Sequence, residues 1–222
     1  MDLDPLILSF EAGAIATVIA AIIGVAIAAL LANGKFPGRD LLDALFTAPL
    51  VLPPTVLGYY VLVVLGRSSV IGTAYERVTG TSIVFTKVGV VVAAVIGGLP
   101  LVVKNGRAAL EDVDRTLVLA ARTLGAPPLR AFLTVQLPLA SRGIAASLML
   151  AFARSLGDFG VTLMLAGNMP GETQTASLAI YDAMNGNRSH DALAMVLVLT
   201  AVALGLLYAV GKLGRRREVD GL

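Results

Sequence analysis

Arg154 and Asp158 stand four residues apart inside the apolar stretch AFARSLGDFG. That spacing puts both on one face of a helix, where they can form an ion pair. If the helix begins near Arg142, Arg154 lies about 18 Å along it at the α-helical rise. That is past the middle of a hydrocarbon layer roughly 30 Å thick. A guanidinium at such depth costs at least about 2.5–3.5 kcal/mol against lipid, so it must face protein or water. Two chemistries fit: a salt bridge that locks helices together, or a charged wall that draws an anion along a polar path.

The other informative stretch is polar, LAARTLGAPPLRAFLTVQLP, from Leu119 to Pro138. Its backbone chemistry predicts helix, break, helix. Asp114 is placed to cap a helix that ends at Leu124, and Gly125 suits the left-handed position that closes it. Pro127 and Pro128 then open the next helix, where a missing N–H costs nothing. Leu137-Pro138 is expected to end that short helix and turn the chain into the next apolar run. A compact knob of this kind suits a groove on a soluble partner.

No other cluster offers reactive chemistry. His190, the only histidine, abuts Asp191 in a polar stretch, and one His without Cys or grouped carboxylates makes a poor metal site. There is no Cys, no HExxH, no GxSxG and no GxxxxGK[ST]. We therefore expect no catalytic residue, no metal and no cofactor in this chain. If ATP powers it, another chain binds and hydrolyses the nucleotide.

The elements that must position these residues are membrane spans. Hydrophobic residues make up 57% of the 222 and charged ones 14%, against roughly 25% charged in soluble domains. About five spans are predicted, near Leu6–Ala32, Ala44–Leu65, Val88–Val103, Gly143–Leu165 and Ala192–Leu213. The first follows acidic Asp2 and Asp4 and is too long for a signal-peptide core, so it reads as a retained span. The second holds Pro49, Pro53, Pro54 and Gly58 and should be broken or kinked, which lipid tolerates only where protein or a watery cavity satisfies the freed backbone. The third is expected to end at Pro100. Two outer loops, Gly66–Lys87 and Ala166–Asp191, read as polar connections. Glu11 reads as a capping or snorkelling acid at the outer end of the first span.

Charge orients the bundle. Lys35 and Arg39 follow the first span, and Lys104, Arg107, Arg115, Arg122, Arg130 and Arg142 lie between the third and fourth. Lys212, Arg215, Arg216 and Arg217 follow the fifth, while the other side holds Arg67, Arg77, Lys87 and Arg188. The positive-inside rule then puts the N-terminus outside and the C-terminus in the cytoplasm, with the knob. The net charge of +2 makes no case for a nucleic-acid partner.

The knob's spacing resembles the EAA loop of ABC importer permeases, EAA-x3-G-x9-I-x-LP. Ala120, Ala121, Gly125, Leu137 and Pro138 match in register, with Ala126 beside the glycine; Leu119 stands for the family's Glu and Val135 for its Ile. Further blocks are similar to the molybdate permease branch: KFPGRDLLD, PLVLPPTVLGYYVLVVLGR, AARTLGA, AFARSLGDFG and NMPGETQT. The resemblance implies an all-α integral membrane protein with the type I ABC importer permease fold. With no internal repeat, low-complexity tract or linker, one permease domain is expected over residues 1–222, with the coupling segment at 111–138 on the cytoplasmic side that the charges indicate. The resemblance also implies a homodimer in a prokaryotic plasma (inner) membrane, a cytoplasmic ABC ATPase dimer that holds ATP and Mg, and an external molybdate- or tungstate-binding protein. Molybdate is the expected cargo, with tungstate or sulfate/thiosulfate as alternatives and a non-transporting membrane scaffold as the rival class. Arg154 and Asp158 remain the pathway candidates.

Overall fold

In the computed structural model, residues 3–34 and 36–219 are described. Asp2, Lys35 and the side chains of Asp191, Arg215, Arg216 and Arg217, which figured in the charge pattern, lie outside that description. The elements are all helical among the described residues.

Helix α1 runs from Asp4 to Asn33, holds Pro5 in its first turn where a missing N–H is harmless, and at about 45 Å outreaches a hydrocarbon core. Its buried side repeats every fourth residue: Ala12, Ala16, Ala20, Gly24 and Ala28. These small residues let α1 lie close against α5, which spans Lys87–Glu111. The contact is tight enough that a Cβ at Gly24 would come within 2.8 Å of Val102. On the other faces Ile7, Ile15, Val18, Ile22 and Leu30 are exposed, as lipid-facing side chains are. Helix α8, Leu137–Leu156, packs on both α1 and α5, and Ala20, Val102 and Ala151 meet there.

Four helices are long and apolar enough to cross a membrane, and five spans result if one bent pair counts as a span. That pair covers the second predicted span, which is broken as expected and begins earlier, at Arg39. Helix α2 (Arg39–Thr47) with the short 3-10 turn Ala48–Leu50 meets α3 (Pro54–Leu65) at 114°. Pro49, Pro53 and Pro54 remove three successive chances to continue the ladder, so the chain turns rather than kinks. At 12 residues α3 is about 18 Å long, too short to cross alone.

The third span also differs from expectation. Pro100 does not end it; it lies fully buried inside α5, which continues to Glu111. The fourth breaks earlier than predicted: α8 stops at Leu156, and a separate helix α9 covers Gly160–Ala166. Short helices α3 and α9 stack on each other around Leu57, Val161 and Leu165.

The two polar outer stretches carry helices of their own. Helix α4, Val70–Thr79, is capped by the Ser69 hydroxyl, which accepts from the Gly72 amide at 2.8 Å, and closes at Gly80. Helix α10, Ala176–Asn185, buries Ala176 and Ala179 against Leu6 and Met195. The buried Ser9 hydroxyl accepts from the Ala176 amide at 2.8 Å, tying α10 to α1. The last helix, α11, covers Ser189–Val219.

Candidate functional site: an exposed knob and a buried polar break

The knob is built by its caps. The carboxylate of Asp114 accepts from the Thr116 amide at 2.8 Å and starts α6, Arg115–Thr123. That bond holds the Asp114 carboxyl below its ordinary range. The helix ends in a Schellman motif: the Gly125 amide donates to Arg122 O at 3.0 Å and the Ala126 amide to Ala121 O at 3.1 Å. Gly125 has φ +90°, so Ala121, Gly125 and Ala126 are the residues that close the helix. Pro127 then caps α7, Pro128–Ala131, with Pro128 at its first position.

Leu137-Pro138 does not end this helix, contrary to expectation. Helix α7 runs without a turn through a π-helical stretch, Phe132–Gln136, into α8. The Leu137 amide reaches back five residues to Phe132 O. Widening the ladder just ahead of Pro138 absorbs the proline's missing donor, so the chain stays helical. The knob is thereby joined rigidly to the long α8 span. Ala120 and Pro138 are exposed, Ala121, Ala126 and Leu137 half-buried. Leu117, Leu124 and Leu129 stand out from the surface, Leu124 at 90% exposure.

Polar ties anchor the knob's foot. Buried Gln136 donates from Nε2 to Leu110 O at 3.1 Å and to Asn33 Oδ1 at 3.2 Å. Glu111 accepts from Arg39 at 2.8 Å and Arg107 at 2.9 Å, and Arg107 also pairs with Asp43 at 3.0 Å. Sequence reasoning missed this network, because its members are far apart in the chain; the lone Gln ahead of Leu137-Pro138 was its one visible signal.

In the second region Asp158 falls in the break between α8 and α9, so it does not share a helix face with Arg154. Its carboxylate is buried, its Oδ2 accepting from the Thr162 amide at 2.9 Å and hydroxyl at 2.7 Å. Arg154 Nη1 donates to Oδ1 at 3.4 Å, with 38% of the Arg154 side chain exposed. The Ser177 hydroxyl donates to Asp158 O at 2.6 Å. Asp158, one residue ahead of the α9 N-cap Phe159, thus first holds the first turn of α9 through Thr162 and only second serves as a counter-ion. Thr162 and Ser177 were not foreseen, although a Thr four residues after an Asp at a helix start is a readable signal. Close by, Gly160 packs so tightly on Pro54 that a Cβ there would lie 2.6 Å from the proline Cβ.

The remaining candidates stay apart from both regions. Glu11 is exposed and lines a shallow groove with Asp4, Lys87 and Glu172. His190 is exposed, and no group of three His, Asp or Glu side chains suited to a metal occurs among the described residues.

Broken helices thus meet around a buried polar break, and an exposed helical knob continues into a long span. The chain belongs to the family of binding-protein-dependent transport system inner membrane components, whose profile matches residues 12–216. It is 40% identical over 215 residues to the molybdenum transport system permease protein of Escherichia coli (strain K12), covering 95% of this chain and 94% of that one. The corresponding protein of Haemophilus influenzae is 42% identical over 181 residues, 82% and 79% of the two chains. A putative molybdenum permease of Bacillus subtilis is 34% identical over 206 residues, 93% and 91%. Among solved structures, the inward-facing MetNI methionine ABC transporter superposes with a TM-score of 0.68 at 15% identity, over 94% of each chain. A bacterial alginate ABC transporter bound to its periplasmic protein gives 0.66 at 17% identity, over 96% and 79%. The fold is that of type I ABC importer permeases.

Proposed function

We propose that this chain is the membrane-spanning permease of an ATP-driven importer that carries molybdate into the cell by alternating access. The observation that carries the reading is the likeness to molybdenum permeases at 34–42% identity over 82–95% of this chain. The energetics agree. A dianion entering a cell held negative inside works against about 2.3 kcal/mol per charge per 100 mV, roughly 4.6 kcal/mol in all. A passive pore would leak it outward.

In this reading the chain is a single permease domain that works as a homodimer in a prokaryotic inner membrane, its N-terminus outside. Residues 111–138 are cytoplasmic and dock on an ABC ATPase dimer, which binds ATP and Mg. The leucines exposed on α6 and α7 enter the ATPase groove, and the unbroken α7–α8 helix carries the stroke into the bundle. An external molybdate-binding protein delivers the anion and sets most of the selectivity. Arg154 faces the path with its exposed guanidinium held by the buried Asp158. Uptake of molybdate by the reconstituted complex, challenged with excess sulfate, tests the proposal. ATP-dependent molybdate uptake that sulfate does not suppress is expected; preferential sulfate uptake overturns the cargo.

A further inference from the structure

A cavity of about 330 Å³ opens between the end of α1, the end of α5 and the flank of α6. Its charged lining is Arg39, Arg115, Arg122 and Glu111, and its apolar wall includes Val118 and Leu119. The carboxylate is already committed, because Glu111 is shared between Arg39 and Arg107. Arg107 has Asp43 as well. Arg115 and Arg122 carry no carboxylate partner among the described residues. The Arg39 Nε–H is buried and has no hydrogen-bond acceptor. Three arginines thus line one concavity against the single carboxylate of Glu111, and one buried donor, the Arg39 Nε–H, is unspent.

Guanidinium groups bind the oxygens of phosphate-like anions in bidentate fashion. A basic pocket beside the ends of two long apolar helices, part apolar and part charged, fits an anionic lipid headgroup. We propose that this cavity binds a tetrahedral phosphate-type oxyanion, carried on an anionic lipid headgroup or free in solution. The site is separate from the Arg154–Asp158 break and does not depend on which anion is transported. Leu119 adds an apolar side chain to the cavity wall beside the two arginines.

The test uses the purified permease–ATPase complex in detergent and follows the melting temperature of the permease. Short-chain phosphatidylglycerol, short-chain phosphatidylcholine and inorganic phosphate are the probes. Phosphatidylglycerol is expected to raise the melting temperature by several degrees where phosphatidylcholine does not. R115Q/R122Q should abolish the response. Leu119→Glu, which leaves both arginines in place, should weaken it at least several-fold. An equal response to inorganic phosphate alone supports the same site with a free anion as its source. No response to either probe, or the same response in wild type and R115Q/R122Q, overturns the proposal. Loss of ATPase co-purification in R115Q/R122Q also overturns it, by assigning the arginines to the subunit contact.

Discussion

Asp158 grips Thr162 twice, through its amide at 2.9 Å and its hydroxyl at 2.7 Å, while the nearest Arg154 nitrogen stands at 3.4 Å. The carboxylate therefore secures the start of α9 before it secures the arginine. Removing it exposes a buried helix end, a loss of about 1 kcal/mol for the cap plus the cost of the unpaired Thr162 hydroxyl. Asp158→Ala should lower the yield of folded protein, and adding Arg154→Ala should not restore it, since the arginine is only partly buried and its contact to Asp158 is the longer one. Asp158→Asn keeps an acceptor for Thr162 and should fold. Arg154→Gln should fold normally yet cut uptake per transporter at least tenfold. Normal uptake by Arg154→Gln would reduce the arginine to a structural role.

Gly160 and Pro54 set how closely the two broken helices approach. A methyl group at Gly160 would meet the Pro54 ring at 2.6 Å and its backbone at 3.2 Å, with no flexible side chain to yield. Gly160→Ala should cost about 1–3 kcal/mol through overpacking, seen as a lower melting temperature. Gly205, whose added Cβ meets nothing within 4 Å, is the matched control. Equal melting of the two alanine variants would contradict the packing.

The Asp114 cap has a defined pH sign. Its folded-state pKa lies below the ordinary 3.8, because the carboxylate accepts from Thr116. The cap's contribution is therefore complete above 3.8 and is lost only as pH falls through the lowered value. Near neutral pH Asp114→Asn, which keeps an acceptor, should preserve stimulation of the ATPase, while Asp114→Ala should reduce it several-fold. Equal loss in both variants would remove the cap from the mechanism.

Orientation is open to direct labelling, because the chain has no native Cys. Cys at exposed Ser68 should react with an impermeant maleimide on intact cells, and Cys at exposed Ser141 only after permeabilisation. The reverse pattern would turn the whole topology over and with it the cytoplasmic knob.

The parts of this fold that depend on neighbours in the chain were legible beforehand. Asp114, Gly125, Pro127 and Pro128 act within a few residues of themselves, and each cap forms where the spacing puts it. Long-range choices were not legible. Pro100 stays helical because α5 is buried against α1 and α8, which a local proline rule ignores. Pro138 does so because five residues ahead of it shift to π geometry. Asp158 was placed on α8 because the i, i+4 rule cannot see that the helix stops at Leu156 and that Thr162 competes for the carboxylate. Gln136 and the Arg39–Glu111–Arg107 ties join positions that only packing brings together.

Gly125 gives the sharpest test of the knob. At φ +90° a side chain is strained, while space is ample, because an added Cβ meets nothing within 4 Å. Any effect of substitution thus reports backbone conformation alone, at about 1–2 kcal/mol for an L-residue held left-handed. That strain is relieved by unwinding the Schellman turn, which re-aims α7 relative to α6. Gly125→Val should insert and fold within the membrane, yet lose most of the substrate-stimulated ATP hydrolysis and uptake. Gly125→Asn, which tolerates the left-handed region better, should retain more of both. Wild-type stimulation and uptake in Gly125→Val would show that the turn does not transmit the stroke, and the docking site would have to be sought elsewhere on the cytoplasmic face.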